Sequence, residues 1–132
     1  MRGRFIWKIN CLIYVRDELP EEYDPALEDL TIYHLLTMQA GSKECCNNVW
    51  FSKLTRDWET NWLKQPKIRE DIGKAFHYDS GCSYTLSRIV TKVMGKNCLA
   101  LMQERVFDKM GFGEINWLTS PEGHNTGGWG MY

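Results

Sequence analysis

The chain has 132 residues, room for a single domain with a real core. Its 16 Lys plus Arg against 17 Asp plus Glu give a formal net charge of -1. That balance excludes a chain-wide basic footprint for nucleic acid, and also an acidic disordered tail. Charged residues at 25% and aromatics at 13% fit a globular composition rather than a disordered one.

Along the chain, Arg2, Arg4 and Lys8 precede the apolar stretch from Cys11 to Val15. The stretch is short and no small-residue cleavage site follows, so it does not read as a secretory signal. No apolar run approaches the roughly 18 residues of a membrane span, so no membrane partner is expected. Five cysteines at no framework spacing point to reduced thiols and a cytoplasmic location. Residues 1–15 show no clear period and form an atypical N-terminal segment. Residues 16–25 form a polar connector in which Pro20 and Pro25 oppose regular structure.

Thr31 is placed as a helix N-cap, followed by Ile32, Leu35 and Leu36 at helical spacing, with Gly41 as the stop. Residues 42–48 are polar and loop-like. Trp50, Leu54, Trp58 and Trp62 recur every four residues, which predicts a helix with an aromatic stripe ended by Pro66. Residues 67–82 read as loop with a short structured stretch. Leu86, Ile89, Val90, Val93 and Met94 then mark the strongest amphipathic helix, with Ser83 a good N-cap and Gly95 the C-terminal cap. Asn97 caps a further helix with Leu99, Met102, Val106 and Met110 inward and Gly111 closing it. The tail from Gly111 to Tyr132 holds seven glycines or prolines and is expected to lead into something extended. The pattern is four helices with long loops, more loop than a compact domain normally carries unsupported.

A search for chemistry first removes candidates. Cys45 and Cys46 are adjacent and cannot form the spaced clip that zinc favours, and His34, His77 and His124 share no motif. No metal or cofactor is therefore expected. The run from Gly127 to Gly130 has no Lys-Ser/Thr after it, and Gly111-x-Gly113 lacks a third glycine, so neither supports a nucleotide site. No Gly-x-Ser-x-Gly elbow occurs. The tryptophan stripe fits a core-packing helix better than a ligand surface. The segment from Phe76 to Tyr84 stands out, with Tyr78 and Ser80 in a loop just before the strong helix. On local pattern alone it reads as a helix start, in which Asp79 and Ser80 form turns.

Four segments in order change that balance. Asp29-Leu-Thr-Ile-Tyr-His-Leu-Leu-Thr-Met-Gln-Ala-Gly41 resembles the Leu-Thr-Ile-Arg-His-Leu-Leu-Thr-His-Thr-Ser-Gly helix segment of the serine β-lactamase-like family. That family joins class C-type β-lactamases, penicillin-binding D-alanyl-D-alanine carboxypeptidases and related esterases. Phe76-His-Tyr-Asp-Ser-Gly-Cys-Ser-Tyr-Thr-Leu-Ser87 resembles its second catalytic motif, Tyr-x-Asn or Tyr-x-Ser, and the helix after it. Glu104-Arg-Val-Phe-Asp-Lys-Met-Gly-Phe112 resembles its Glu-Arg-Ile-Phe-x-Pro-Leu-Gly-Met segment. Asn125-Thr-Gly-Gly-Trp-Gly130 resembles the glycine-rich lead-in to a sheet strand.

The resemblance covers residues 16–132 and implies a mainly α chain: the helical subdomain of a two-part fold whose other part carries a sheet. It implies acyl transfer through a serine, with Tyr78 as the motif tyrosine and Ser80 as the polar residue two positions on. Serine at that second position favours the esterase or amidohydrolase side of the family. Asp79 would set a negative charge beside the site. In this family a Ser-x-x-Lys motif supplies the nucleophile and a lysine, and Lys-Thr-Gly or His-x-Gly lines the far wall. None of these motifs occurs in the chain. A serine hydroxyl is a weak nucleophile until a base takes its proton. A phenol, with a pKa of roughly 10, serves as base near neutrality only beside a cation. The sequence is thus expected to be a helical fragment that catalyses little alone. The alternative is a non-catalytic, self-associating interaction module with the Trp50 to Trp62 stripe as its contact surface; a third reading is a split enzyme whose complementing chain supplies the serine and lysine.

Overall fold

The computed structural model describes residues 8–45 and 56–132. The chain is mainly α. Helices α1 (Leu12–Val15), α2 (Ile32–Leu36), α3 (Trp58–Leu63), α4 (Ser80–Met94), α5 (Cys98–Met102) and α6 (Asp108–Met110) follow in order. A π-helical turn, Gln103–Phe107, joins α5 to α6, and tight 3-10 turns occupy Arg16–Glu18, Pro25–Asp29 and Arg69–Asp71. Among the described residues no strand forms; pairing is limited to isolated β-bridges. Among them, too, no helix is long and apolar enough to cross a membrane.

Helix α4 is the axis, packed against α1, α2, α3 and α5. The apolar core gathers Leu12, Val15, Leu27, Leu30, Leu35 and Trp62 around its first half, all fully buried. The N-terminal segment, which shows no period, therefore supplies core: one turn is too short to display a repeat. Cys11 is buried there too, and burial pushes its thiol up to about 12, which makes it an inert packing group. The four described cysteines form no disulfide.

Several local expectations are corrected. Helix α4 begins at Ser80, capped by Asp79, and not at a Ser83 cap. Asp79 is in extended conformation (φ -148°, ψ 112°) and its Oδ1 accepts the Gly81 N–H at 2.9 Å, so the helix starts one turn earlier. The predicted inward stripe of α4 is also only partly right. Val93 and Met94 are exposed, and the buried side runs through Gly81, Cys82, Tyr84, Thr85, Ser87 and Ile89. That face is held by side-chain hydrogen bonds, which a hydrophobic period does not register. Gly95 ends α4 in the left-handed conformation, as expected.

Thr31 caps α2 in a capping box with His34. The helix stops at Leu36, however, because Met38 turns left-handed (φ 55°) before Gly41 is reached. Asn97 caps α5 by accepting the Ala100 N–H at 2.8 Å. Past it the π-turn shifts the helical register, so Phe107 is buried and Met110, placed inward from the sequence, is 65% exposed.

Of the tryptophan stripe, Trp50 and Leu54 lie outside the described residues. Trp58 and Trp62 are core, not contact surface: they are 3% and 0% exposed. Trp58 stacks on Trp129, ring centroids 6.4 Å apart, and leans on Tyr84 at 5.5 Å.

Residues 116–132 fold back in an irregular hairpin. Asn116 and Tyr132 exchange backbone hydrogen bonds at 2.8 and 2.9 Å. The hairpin is locked to α4 and α5 through Asn125, whose carbonyl accepts from the Ser87 hydroxyl (2.7 Å) and whose Oδ1 accepts the Leu99 N–H (2.9 Å). The glycines of this segment serve close approach. Gly127 has φ +84°, and a Cβ there would lie 2.3 Å from the Ser83 carbonyl oxygen.

Gly81 marks the tightest contact on α4, since an added Cβ would sit 2.0 Å from Trp62 Cδ1. Gly81→Ala is expected to destabilise the fold by about 3 kcal/mol or more, because Trp62 has no free volume to retreat into. Gly95→Ala meets open space and is expected to cost only about 1 kcal/mol, for the left-handed backbone alone. Urea unfolding of the two variants checks this; equal losses would contradict the packing argument.

Candidate active site

The segment leading to Tyr78 is pinned from below by the end of α2. Gly73 N–H donates to the Gln39 carbonyl at 3.0 Å, and His77 N–H donates to the Met38 carbonyl at 2.9 Å. The left-handed turn at Met38 presents these carbonyls to the loop. The His77 ring is in turn tied to Asp71, Nε2 to Oδ2 at 2.8 Å.

From this anchor the backbone runs extended through Asp79, where successive side chains point to opposite sides. Tyr78 faces outward and is 61% exposed, while Asp79 is fully buried. The Asp79 carboxylate accepts three hydrogen bonds from three parts of the chain. Trp62 Nε1 of α3 donates to Oδ2 at 2.7 Å, the Ser42 hydroxyl also donates to Oδ2, and the Gly81 amide donates to Oδ1. The negative charge expected beside the site thus points into the protein, where it holds α3, α4 and the loop after α2 together.

Ser80, the other sequence-predicted site residue, is the first residue of α4 and half-buried. Its neighbour is Cys45, with Ser80 N–H donating to the sulfur at 3.4 Å and the thiol lying 3.6 Å from Ser80 Oγ. Cys45 also lines an open cleft of about 240 Å³ with Lys43, Glu44, Gln65 and Pro66. Tyr78 and Ser80 thus flank Asp79, one in solvent and one against a thiol at the cleft.

The first amides of α4 could in principle stabilise an oxyanion. Here they are already engaged. Ser80 N–H is given to Cys45, Gly81 N–H to the Asp79 side chain, and Cys82 N–H to the Asp79 carbonyl at 3.0 Å. The geometry therefore presents a tyrosine and a serine on a fixed frame without an oxyanion pocket at this helix end. Among the described residues, no group of three or more His, Cys, Asp or Glu side chains is placed to hold a metal ion.

The burial of Asp79 and its bonds to Ser42 and Trp62 have no counterpart in the motif pattern. One signal was available: Asp immediately before a helical run is a cap signature, as good as Ser83. The partners, 17 and 37 residues away, carry no local signal.

A scan against protein-family models matches residues 14–132 to the family described as Beta-lactamase. The chain belongs to the Beta-lactamase family. A search of curated proteins returns no match.

Asp79→Ala removes a helix cap worth about 1 kcal/mol and leaves the Trp62 indole N–H and the Ser42 hydroxyl buried without an acceptor, at about 1–3 kcal/mol each. The expected loss is roughly 3–7 kcal/mol, a large share of the 5–15 kcal/mol that holds a typical domain together. Asp79→Asn keeps the shape and is expected to lose less than half of that. Chemical denaturation of both variants measures it, and an Asp79→Ala loss below about 1 kcal/mol would show that the carboxylate is only a cap.

Proposed function

We propose that this chain supplies the tyrosine-bearing helical half of a serine hydrolase site, acting on amide or ester bonds through an acyl-serine, and that by itself it turns over no substrate. One observation carries the reading: the tyrosine of a Tyr-x-Ser motif is presented outward on a loop fixed by a buried aspartate, in a Beta-lactamase family chain. Bonds of this class include β-lactams, D-alanyl peptides and simple esters.

In this reading a serine hydroxyl attacks the substrate carbonyl and its proton must go to a positioned base. Tyr78 is the group on this half that would carry protons to and from the nucleophile and the leaving group. Ser80 would orient the substrate or the cation that activates the phenol. The 132 residues contain no Ser-x-x-Lys, so both nucleophile and activating cation would have to come from another segment or another chain. Losing such members from a concerted constellation costs orders of magnitude in rate.

A second reading, a non-catalytic interaction module, is favoured by Phe76 and Tyr78. These aromatic side chains stand two residues apart on the pinned loop, 65% and 61% exposed. Such side chains suit a partner surface, either a second copy of this chain or a complementing one.

Intact mass after treatment with a fluorophosphonate separates the readings from full activity. No adduct is expected on a sample that keeps its folded near-UV circular dichroism. A stoichiometric adduct would mean that a serine here is activated without the lysine motif, and the inactive-half reading would fall. Sedimentation equilibrium addresses the second reading: a discrete dimer abolished by Phe76→Ser supports it, and a monomer at all concentrations removes self-association.

A further inference from the structure

Helix α3 carries a buried carboxyl of its own, one turn before Trp62. Glu59 is 3% exposed, and its Oε1 accepts the Thr85 hydroxyl at 2.9 Å. Among the described residues no donor reaches Oε2. The side chain lines a half-open cavity of about 50 Å³, together with Glu18, Asp57, Tyr84, Arg88, Glu122 and His124. A water molecule needs roughly 10–15 Å³ of such space. The space for solvent lies next to the side chain, while Oε2 itself is out of solvent contact and has no donor.

The charges around Glu59 on balance favour its ionised form, and burial outweighs them. Glu18, at the end of the turn that follows α1, repels a charge there, whereas Arg88 of α4 and Lys67 after α3 attract it. Arg88 is already paired with Glu18 and donates to His124 Nε2 at 2.5 Å, and Lys92 is shared by Asp17 and Glu18. Burial and the Arg88 charge lower the His124 pKa, so near neutral pH the ring is the neutral acceptor this contact requires. Cys11, Cys82 and Tyr84 face Glu59 as groups that burial keeps protonated. Glu122 of the hairpin is occupied by the Asp57 N–H at 2.7 Å.

Helix α3 is the element able to give. It has six residues, no side-chain cap, and enters through Asp57 in the left-handed conformation (φ 56°). A helix that short holds only through its packing. Its far end carries Trp62, the donor to Asp79 beneath Tyr78.

We propose that Glu59 is a proton-operated latch on α3: protonated, it packs dry against α4; ionised, it draws water into the cavity, loosens α3 and weakens the Trp62–Asp79 hydrogen bond under the Tyr78 loop. The proposal stands on the packing of α3 and does not depend on the hydrolase reading.

The direction of the pH effect follows from linkage. Burial raises the Glu59 carboxyl from an ordinary 4.5 to about 7. A value raised in the closed form means that the stabilisation is complete below 4.5, is lost as pH rises to 7 and stays lost above. Between pH 4 and pH 8 the opening of α3 is expected to gain on the order of 100-fold.

The test follows two nuclei in the full chain: the Glu59 carboxyl carbon and the Trp62 indole N–H. The carbon is expected to titrate near 7. The protection of the indole against hydrogen exchange, corrected for intrinsic base catalysis, is expected to fall on the same midpoint. Glu59→Gln should hold its protection constant across this range. If that variant does not fold, Thr85→Val serves instead: it removes the bond to Oε1 and should move both midpoints upward together. A Glu59 midpoint near 4.5, or indole protection that ignores the Glu59 midpoint, would overturn the proposal.

Discussion

The fold depends on one carboxylate. Asp79 caps the longest helix among the described residues, and it does so while fully buried. A buried carboxylate is costly unless its oxygens are given donors. The chain meets that demand by bringing in an indole from α3, a hydroxyl from the loop after α2 and an amide from α4 itself. The cost of leaving the charge unsatisfied thereby fixes where three otherwise separate segments must lie. Apolar burial around Trp62 supplies the larger share of the energy, but it is non-directional. The hydrogen bonds to Asp79 select one arrangement among many that would bury the same surface.

Glu59, three residues before Trp62 on α3, shows the opposite solution to the same problem. Both acids are removed from water, yet Glu59 has one hydroxyl donor where Asp79 has three donors. Hydrogen bonding to the charged form lowers a carboxyl pKa and desolvation raises it. With a single donor, desolvation prevails, and Glu59 is raised to about 7. Two carboxyls on or touching the same six-residue helix are therefore held in different ways. One is fixed by donors, and the other is poised by their scarcity.

Much of the architecture was legible in the sequence because it rests on local chemistry. Thr31 and Asn97 are capping residues placed before helical runs, and Gly95 is a left-handed stop. What was not legible rests on distance. Val93 and Met94 continue the apolar period of α4 but lie past the point where other helices cover it. The buried polar face through Thr85 and Ser87 makes sense only once Glu59 and Asn125 arrive from elsewhere in the chain. The π-turn after α5 moved Phe107 inward in place of Met110, and no residue in that stretch announces it. At the site, Tyr78 and Ser80 were identified by motif, whereas the role of Asp79 needed Trp62 and Ser42 in place.

The motif itself can be understood from backbone geometry. Between an anchored loop and a helix, one extended residue forces neighbouring side chains to opposite sides. With Asp79 turned inward as cap and cross-link, Tyr78 must turn outward. Ser80 then starts the helix beside the cleft at Cys45. The outward tyrosine is thus a consequence of the buried aspartate rather than an independent feature. The same constraint gives the position its rigidity: His77 is held by Met38 and Asp71 on one side, and Asp79 by three donors on the other. A phenol fixed at both ends of its own backbone loses little further entropy when something is laid against it, whether that is a substrate or a protein surface. The loop therefore presents Tyr78 on a fixed backbone with its ring exposed.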